Sequence, residues 1–482
     1  MNFALAALSG VLLFLLFPGW NLTWLAPVAL APLLVAAARE PDWKRRLWLG
    51  ETAGFVHWFG LCHWIQFVLS YHGGMGEWGG WGTFVLFALA MATQFALFSA
   101  FAGVLMRSWF AVPAVAALWV GIERSHGHIG FFWLKLGNAG TDMGVPMRLA
   151  PLVGVYGLSF VFAMMGAAVA LLILRRPRLD LAWLLLLPLL YALPDLPGIA
   201  TGAETAIAVQ PNVPQDAPHW TAASTAELTR RMSLLSLKES LEASPSLLLW
   251  PESPAPFYYE ADPVFRESVQ QVARSTRTHF LLGTVAWVAR NRSRNSSLLL
   301  APSGDLLARY DKMNLVPFGE FVPPLFSFVN RITQEAGDFE PGERQVVMKA
   351  GAHWLAPFIC YESAFPHFVR EFTNSGAEML VNMTNDGYFG RSAAREQHLL
   401  HARMRAAENG RWVLRPTNDG YTMAIDPAGR VREQFPPYEV IAGRLHFSWL
   451  SGKTAYVRYG DWFAWICLAA GLGLSLALWR KP

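Results

Sequence analysis

The sequence predicts two regimes in one chain: a membrane α-helical bundle of about eight transmembrane helices and a mixed α/β domain of about 250 residues. Three observations carry this. Hydrophobic residues make up 53% of the 482 and charged ones only 15%, well under the roughly 25% charged of soluble domains. Apolar runs crowd residues 1–193 and return at 462–482. Between them, at 194–461, the pattern breaks into short strand-like and helix-like stretches.

The first apolar run, Phe3 to Phe17, ends at Pro18-Gly19-Trp20-Asn21. It has neither a basic leader nor a small-residue cleavage site, so it reads as a retained helix and not a signal peptide. Further spans are expected at Leu22–Ala38, Leu49–Tyr71, Phe84–Met106, Phe110–Ile122, Ala150–Leu174, Leu179–Leu193 and Trp462–Trp479. The 21 Trp suit anchoring at the membrane interface, because indole is apolar with one polar edge.

Basic residues set the orientation. With the N-terminus inside, the cytoplasmic side carries Arg39, Lys44, Arg45, Arg46, Arg107, Arg175, Arg176, Arg178, Arg480 and Lys481. The opposite short loops carry Arg124, Lys135 and Arg148. This bias predicts both termini in the cytoplasm and residues 205–447 on the far side of the membrane.

In that segment strands are expected at Ala206–Gln210, Leu247–Trp250, Phe280–Val288, Ser297–Ala301, Trp354–Ile359, Met379–Asn382, Arg411–Arg415 and Val440–Phe447. Helices are expected at Ala222–Ala243, Pro263–Ser275, Pro366–Ser375 and Ala393–Glu408. The net charge of +4 is small and scattered, which argues against nucleic acid as a partner. Cys62, Cys360 and Cys467 form no CxxC or zinc spacing, so neither a disulfide framework nor a metal centre is expected.

Chemistry gathers where predicted strands end. Cys360 follows the apolar run Trp354–Ile359 and stands two residues before Glu362, a candidate nucleophile beside a carboxylate. A lone cysteine there could equally be a small buried hydrophobe. Two further motifs change its standing: Leu249-Trp250-Pro251-Glu252-Ser253 and Tyr310-Asp311-Lys312.

Glu, Lys and Cys in this order and setting resemble the triad of the carbon–nitrogen hydrolase (nitrilase) superfamily. The motif Asn314 to Pro323, with seven apolar spans before and one after, makes the whole chain resemble the bacterial apolipoprotein N-acyltransferase family. Val209-Gln210-Pro211-Asn212, Asn385 to Gly390, Gln397-His398, Arg403 to Thr417 and Gly154 to Phe160 extend the resemblance. Departures are Asn314 where the family has His, Phe132 where it often has Pro, and Asn418-Asp419-Gly420 where Asn-Asn-Gly is common.

The resemblance implies a nitrilase-like αββα sandwich, a Glu252–Lys312–Cys360 triad, no cofactor, and N-acylation of the diacylglyceryl-cysteine of apolipoproteins. The implied acyl donor is a membrane phospholipid such as phosphatidylethanolamine. The implied place is the bacterial inner membrane, with the catalytic domain in the periplasm.

Glu252 would take the thiol proton, Lys312 would hold the oxyanion, and Glu320 would orient Lys312 or the incoming amine. Glu362 and Tyr361 would shape the pocket, and Tyr388, Trp220 and Asn314 are further substrate-binding candidates. His398 reads as a structural hydrogen-bonding histidine, and His57 and His63 as bundle-internal. Glu123 and Arg124 would pair with each other or hold a headgroup. The apolar stretch Phe321–Val329 would be core in a soluble enzyme; in a domain seated on a membrane the favoured reading is that it dips into the interface and admits an acyl chain. The rival readings are a membrane-anchored amidase with water as acceptor and a lipid-binding or transport module.

Overall fold

The computed structural model describes residues 1–126, 131–176, 178–198, 202–214, 220–289, 292–317, 319–321 and 339–479. The apolar stretch 322–329 and the basic pair Arg480 and Lys481 lie outside them. The chain divides into two compact units, one of residues 1–66, 77–196 and 458–482, the other of 67–76 and 197–457.

The first unit is helical. Gly76–Leu105, Val155–Ile173 and Trp462–Trp479 are long and apolar enough to cross a membrane. Asn2–Leu15 is a shorter apolar helix. The expected span Leu22–Ala38 is instead a 3-10 turn, Thr23–Leu25, and a short helix, Ala31–Arg39, because Pro27 and Pro32 allow helix only downstream of each ring. The expected Leu49–Tyr71 span begins earlier, at Trp43, where Asp42 caps the helix by accepting the Lys44 N–H, and it ends at Cys62. Arg178–Ala192 is a 3-10 helix around Pro188. At about 2.0 Å per residue such a helix extends about 30 Å, close to the hydrocarbon thickness of a bilayer.

Small residues bring these helices together. A Cβ at Gly121 would lie 2.5 Å from the Leu468 backbone, and one at Gly471 2.6 Å from that of Leu118. Ala111–His126 and Trp462–Trp479 therefore touch backbone to backbone. Arg124 pairs with buried Asp461 and lies over the Trp465 ring. Glu123 accepts from Trp119 Nε1 and the Leu136 N–H. Each residue thus has its own partners within the bundle.

The second unit holds two six-stranded sheets. In the first, β12 (Ile441–Phe447), β1 (Glu204–Gln210), β2 (Leu247–Leu249), β3 (His279–Ala289), β4 (Arg292–Leu300) and β5 (Leu306–Asp311) lie side by side. In the second the order is β11 (Val431–Gln434), β10 (Met423–Ile425), β9 (Val413–Arg415), β8 (Met379–Met383), β7 (His353–Ile359) and β6 (Met348–Ala350). β1, β2 and β3 run parallel, as do β7, β8 and β9, and the outer pairs are antiparallel.

Side-chain alternation gives each sheet two buried faces. Ile207, Val209, Leu248, Phe280 and Leu282 pack against the Ala222–Ala243 and Pro263–Thr276 helices through Leu228, Met232, Phe265 and Val269. The intervening Ala206, Ala208, Leu249 and Leu281 are equally buried, which places the other sheet over them. Helices Pro366–Asn374 and Ala394–Asn409 pack on the second sheet. The layers are helix, sheet, sheet, helix. β5, β6, β10 and β11 were not among the expected strands, and three of them are only three or four residues long.

Candidate active site

Three strand ends converge. β7 delivers Cys360, whose φ of +50° is left-handed, a conformation that disfavours any side chain with a Cβ. The backbone turns sharply there into the 3-10 turn Cys360–Ala364. β2 delivers Glu252 on the Pro251–Ser253 loop. That loop lies so close to β3 that a Cβ at Gly283 would fall 2.5 Å from the Pro251 carbonyl oxygen. β5 delivers Lys312, whose N–H donates to the Asn295 carbonyl at 2.8 Å.

All three side chains are buried, as is Glu320. Lys312 Nζ sits 2.8 Å from Glu320 Oε2 and 3.4 Å from Glu252 Oε1. Asn295 Nδ2 donates to both carboxylates, at 2.7 Å to Glu252 and 2.9 Å to Glu320. The second oxygen of Glu252 accepts the Asn385 N–H at 2.8 Å, and that of Glu320 accepts the Val316 N–H at 2.9 Å.

Burial raises the Glu252 pKa, and the Glu320 charge adds to the rise against the pull of Lys312. Burial works against the Lys312 charge, but Glu320 and Glu252 outweigh it and hold the ammonium protonated. The Cys360 thiol is pushed up by burial and by Glu252, with Lys312 opposing. The resting site therefore favours a neutral thiol, and attack requires a base that takes the proton as the sulfur bonds. A raised-pKa carboxylate beside a fixed ammonium can do this.

The remaining candidates divide. Tyr388, in the turn Asp386–Phe389, is 39% exposed, and its phenol lies within the field of the Glu320, Glu252 and Lys312 charges. Its ring packs 4.6 Å from that of His72. Tyr361 is buried edge-on to Phe365.

Glu362 is fully buried and faces backbone: Oε1 accepts from Tyr310 Oη, Met313 N and Asn314 N, and Oε2 from Ile359 N at 2.7 Å. It ties the segment after Lys312 to the strand end before Cys360. Asn314 enters through its N–H on Glu362. Trp220 is partly buried against the hydrophobic core of the first sheet.

Sequence reasoning missed Asn295. Its signal was present, a lone amide in a strand otherwise serine- and leucine-rich. Asn385, quoted only within a motif, gains a role through its N–H. His398 is fully buried, with Nδ1 on Asp386 at 2.9 Å and Nε2 on the Cys360 carbonyl at 2.9 Å. Among the described residues no group of three His, Cys, Asp or Glu is placed to hold a metal ion.

Family models and curated relatives match both parts of the chain. The family of apolipoprotein N-acyltransferase N-terminal domains matches residues 9–168, and the carbon-nitrogen hydrolase family matches residues 207–443. An apolipoprotein N-acyltransferase of Geobacter metallireducens is 33% identical over 507 residues, covering 100% of this chain and 96% of the relative. One from Methylococcus capsulatus is 33% identical over 512 residues, covering 99% and 96%. A solved amidase of the nitrilase superfamily, from Nesterenkonia AN1, aligns over 54% of this chain and 95% of its own, at 18% identity and a TM-score of 0.41.

Proposed function

The chain belongs to the apolipoprotein N-acyltransferase family, and on that premise we propose a two-step acyl transfer from a membrane phospholipid to the N-terminal amine of a diacylglyceryl-modified apolipoprotein. In the first step Cys360 Sγ bonds to the ester carbonyl carbon of the donor, by resemblance the sn-1 ester of phosphatidylethanolamine. Glu252 takes the thiol proton. The tetrahedral oxyanion collapses, the ester C–O bond breaks, and Glu252 returns the proton to the leaving oxygen, so a lysophospholipid departs. In the second step the α-amine of the diacylglyceryl-cysteine attacks the thioester, Glu252 takes a proton from the nitrogen, and the C–S bond breaks to give the amide. The thiolate then recovers the proton.

The observation that supports this reading is the buried Glu252–Lys312–Glu320 arrangement at the strand end that carries Cys360. The ammonium is in place before charge develops, and one such donor to an oxyanion is typically worth about 3–4 kcal/mol. Glu320 grips Lys312, and Asn295 bridges the two carboxylates by donating to both. An amine displaces a thiolate readily, which suits a thioester intermediate that must wait for a second substrate.

For placement we propose a multi-pass protein of the bacterial inner membrane, with about eight spans, both termini in the cytoplasm and the α/β unit in the periplasm. The distribution of Lys and Arg supports this orientation.

The test is the intermediate. Purified enzyme given phosphatidylethanolamine and no acceptor is expected to gain one acyl mass on the Cys360 peptide, released by neutral hydroxylamine. A diacylglyceryl-cysteine peptide is expected to discharge it onto its amine. Cys360→Ala gains no mass, and Lys312→Met gains it orders of magnitude more slowly. An acyl group on another residue sinks the mechanism. An acyl-enzyme discharged only by water, with release of free fatty acid, makes the protein an amidase-like hydrolase.

A further inference from the structure

The left-handed backbone at Cys360 needs a restraint, since a residue with a Cβ held there relaxes unless its surroundings fix it. Two buried side chains supply one from opposite directions. Glu362 holds the N–H of Ile359, immediately before the bend. His398 holds the carbonyl of Cys360 itself.

The ring of His398 is fixed in turn. Asp386 Oδ1 meets Nδ1, and the same carboxylate is gripped by Arg415 at 2.8 Å and approached by the Thr384 hydroxyl at 3.2 Å. Arg415 also donates to Asn382 Oδ1, on β8 beside β7. The Phe389 ring stands edge-on to the imidazole at 5.6 Å. Asp386, His398 and Arg415 are each fully buried. Arg415 keeps the Asp386 pKa below the ordinary carboxylate range in spite of its burial. Nε2 of His398 thus faces the Cys360 carbonyl, and Nδ1 faces the Asp386 carboxylate with Arg415 Nη2 also near it at 3.2 Å.

We propose that His398 is a positioning residue for the nucleophile: its Nε2–H bond to the Cys360 carbonyl holds the strained bend that aims Sγ at the substrate, and the Asp386–Arg415 pair keeps the ring in register. This rests on Cys360 being the nucleophile, as argued above, and adds a residue to the machinery that never touches substrate.

The two nitrogens can be tested separately. Glutamine places its amide nitrogen near the Nε2 position and asparagine places its own near Nδ1, so His398→Gln keeps the donor to Cys360 while His398→Asn keeps only the Asp386 side. Iodoacetamide alkylation of the Cys360 peptide, followed by mass spectrometry on the full-length protein without lipid donor, reads the nucleophile alone. The Gln variant is expected to alkylate within about threefold of wild type. The Asn variant is expected to be slower by about tenfold or more, which corresponds to about 1.4 kcal/mol. Acyl-enzyme formation should follow the same order through its maximal rate, with half-saturation by donor unchanged.

Rates are scored per folded molecule from thermal melts. If the Asn variant does not fold, the Gln variant decides alone: a near wild-type rate supports the proposal and a tenfold loss overturns it. Equal rates for Asn and Gln also overturn it. A wild-type enzyme that never acylates Cys360 would overturn the proposed reaction, a separate outcome from failure of the His398 variants.

Discussion

Lys312 lies closer to Glu320 than to Glu252, at 2.8 Å against 3.4 Å. The ammonium is therefore neutralised mainly by the carboxylate on the following loop, and Glu252 keeps the raised proton affinity that burial gives it. A base must be able to hold the proton it takes, and a carboxylate fully paired with Lys312 would hold it poorly.

The first prediction follows from that division. The first-step rate should fall as pH drops through the Glu252 pKa, and because that pKa is raised, the fall should lie above the ordinary Glu value of about 4.3. Glu320→Gln removes a like charge and leaves Lys312 to Glu252, and both changes lower the Glu252 pKa. The acid limb should move to lower pH while the maximal rate drops. A pH profile of acyl-enzyme formation reads both, and a limb that moves upward contradicts the assignment of Glu252 as base.

Asn295 gives the opposite shift. Asn295→Asp sets a third carboxylate between Glu252 and Glu320, raising the Glu252 pKa and moving the acid limb up. Asn295→Leu takes one donor from each of two buried carboxylate oxygens and leaves them to Lys312, at a cost of about 1–3 kcal/mol in stability. Denaturant melts beside the pH profiles check both. If neither variant differs from wild type, the bridging amide is incidental.

Two of the candidate residues, Glu252 and Cys360, were legible in the sequence because each follows an apolar strand, whereas β5, which precedes Lys312, was not among the expected strands. Leu247–Leu249 and His353–Ile359 mark where Glu252 and Cys360 fall, and the Ala222–Ala243 helix kept its expected bounds. The sequence was silent where long-range pairing decides the outcome. β6 and β10 are three-residue strands held by neighbours, and the partners of Glu362 lie 48 to 52 positions away as well as next door. Nor did the run around Trp220, a substrate-binding candidate, show what its ring would cover. It packs on the core, since one face of the first sheet needed covering.

Glu362 is expected to behave as a brace. Glu362→Gln turns an amide NH2 toward N–H groups that now have an acceptor, leaving at least one buried donor unpaired at about 1–3 kcal/mol. Because the carboxylate ties the Met313–Asn314 segment to Ile359, both half-reactions should slow by a similar factor and the melting temperature should fall. A variant with normal stability and a defect confined to one substrate would return Glu362 to the pocket wall.

The last prediction concerns sidedness, which rests on charge alone. Lys44 and Ser303 are exposed, one in the first turn of the Trp43–Cys62 helix and the other in the β4–β5 turn. Lys44 is preferred to its neighbour Asp42, whose side chain caps that helix, a contact typically worth about 1 kcal/mol. Cys62 and Cys467 are buried, so a Cys360→Ala background leaves little thiol to react. In intact spheroplasts a membrane-impermeant maleimide is expected to label Ser303→Cys and to label Lys44→Cys only after lysis. Labelling of position 44 alone before lysis would put the α/β unit in the cytoplasm. The proposed orientation would then be inverted, and the acyl-transfer assignment would fall with it.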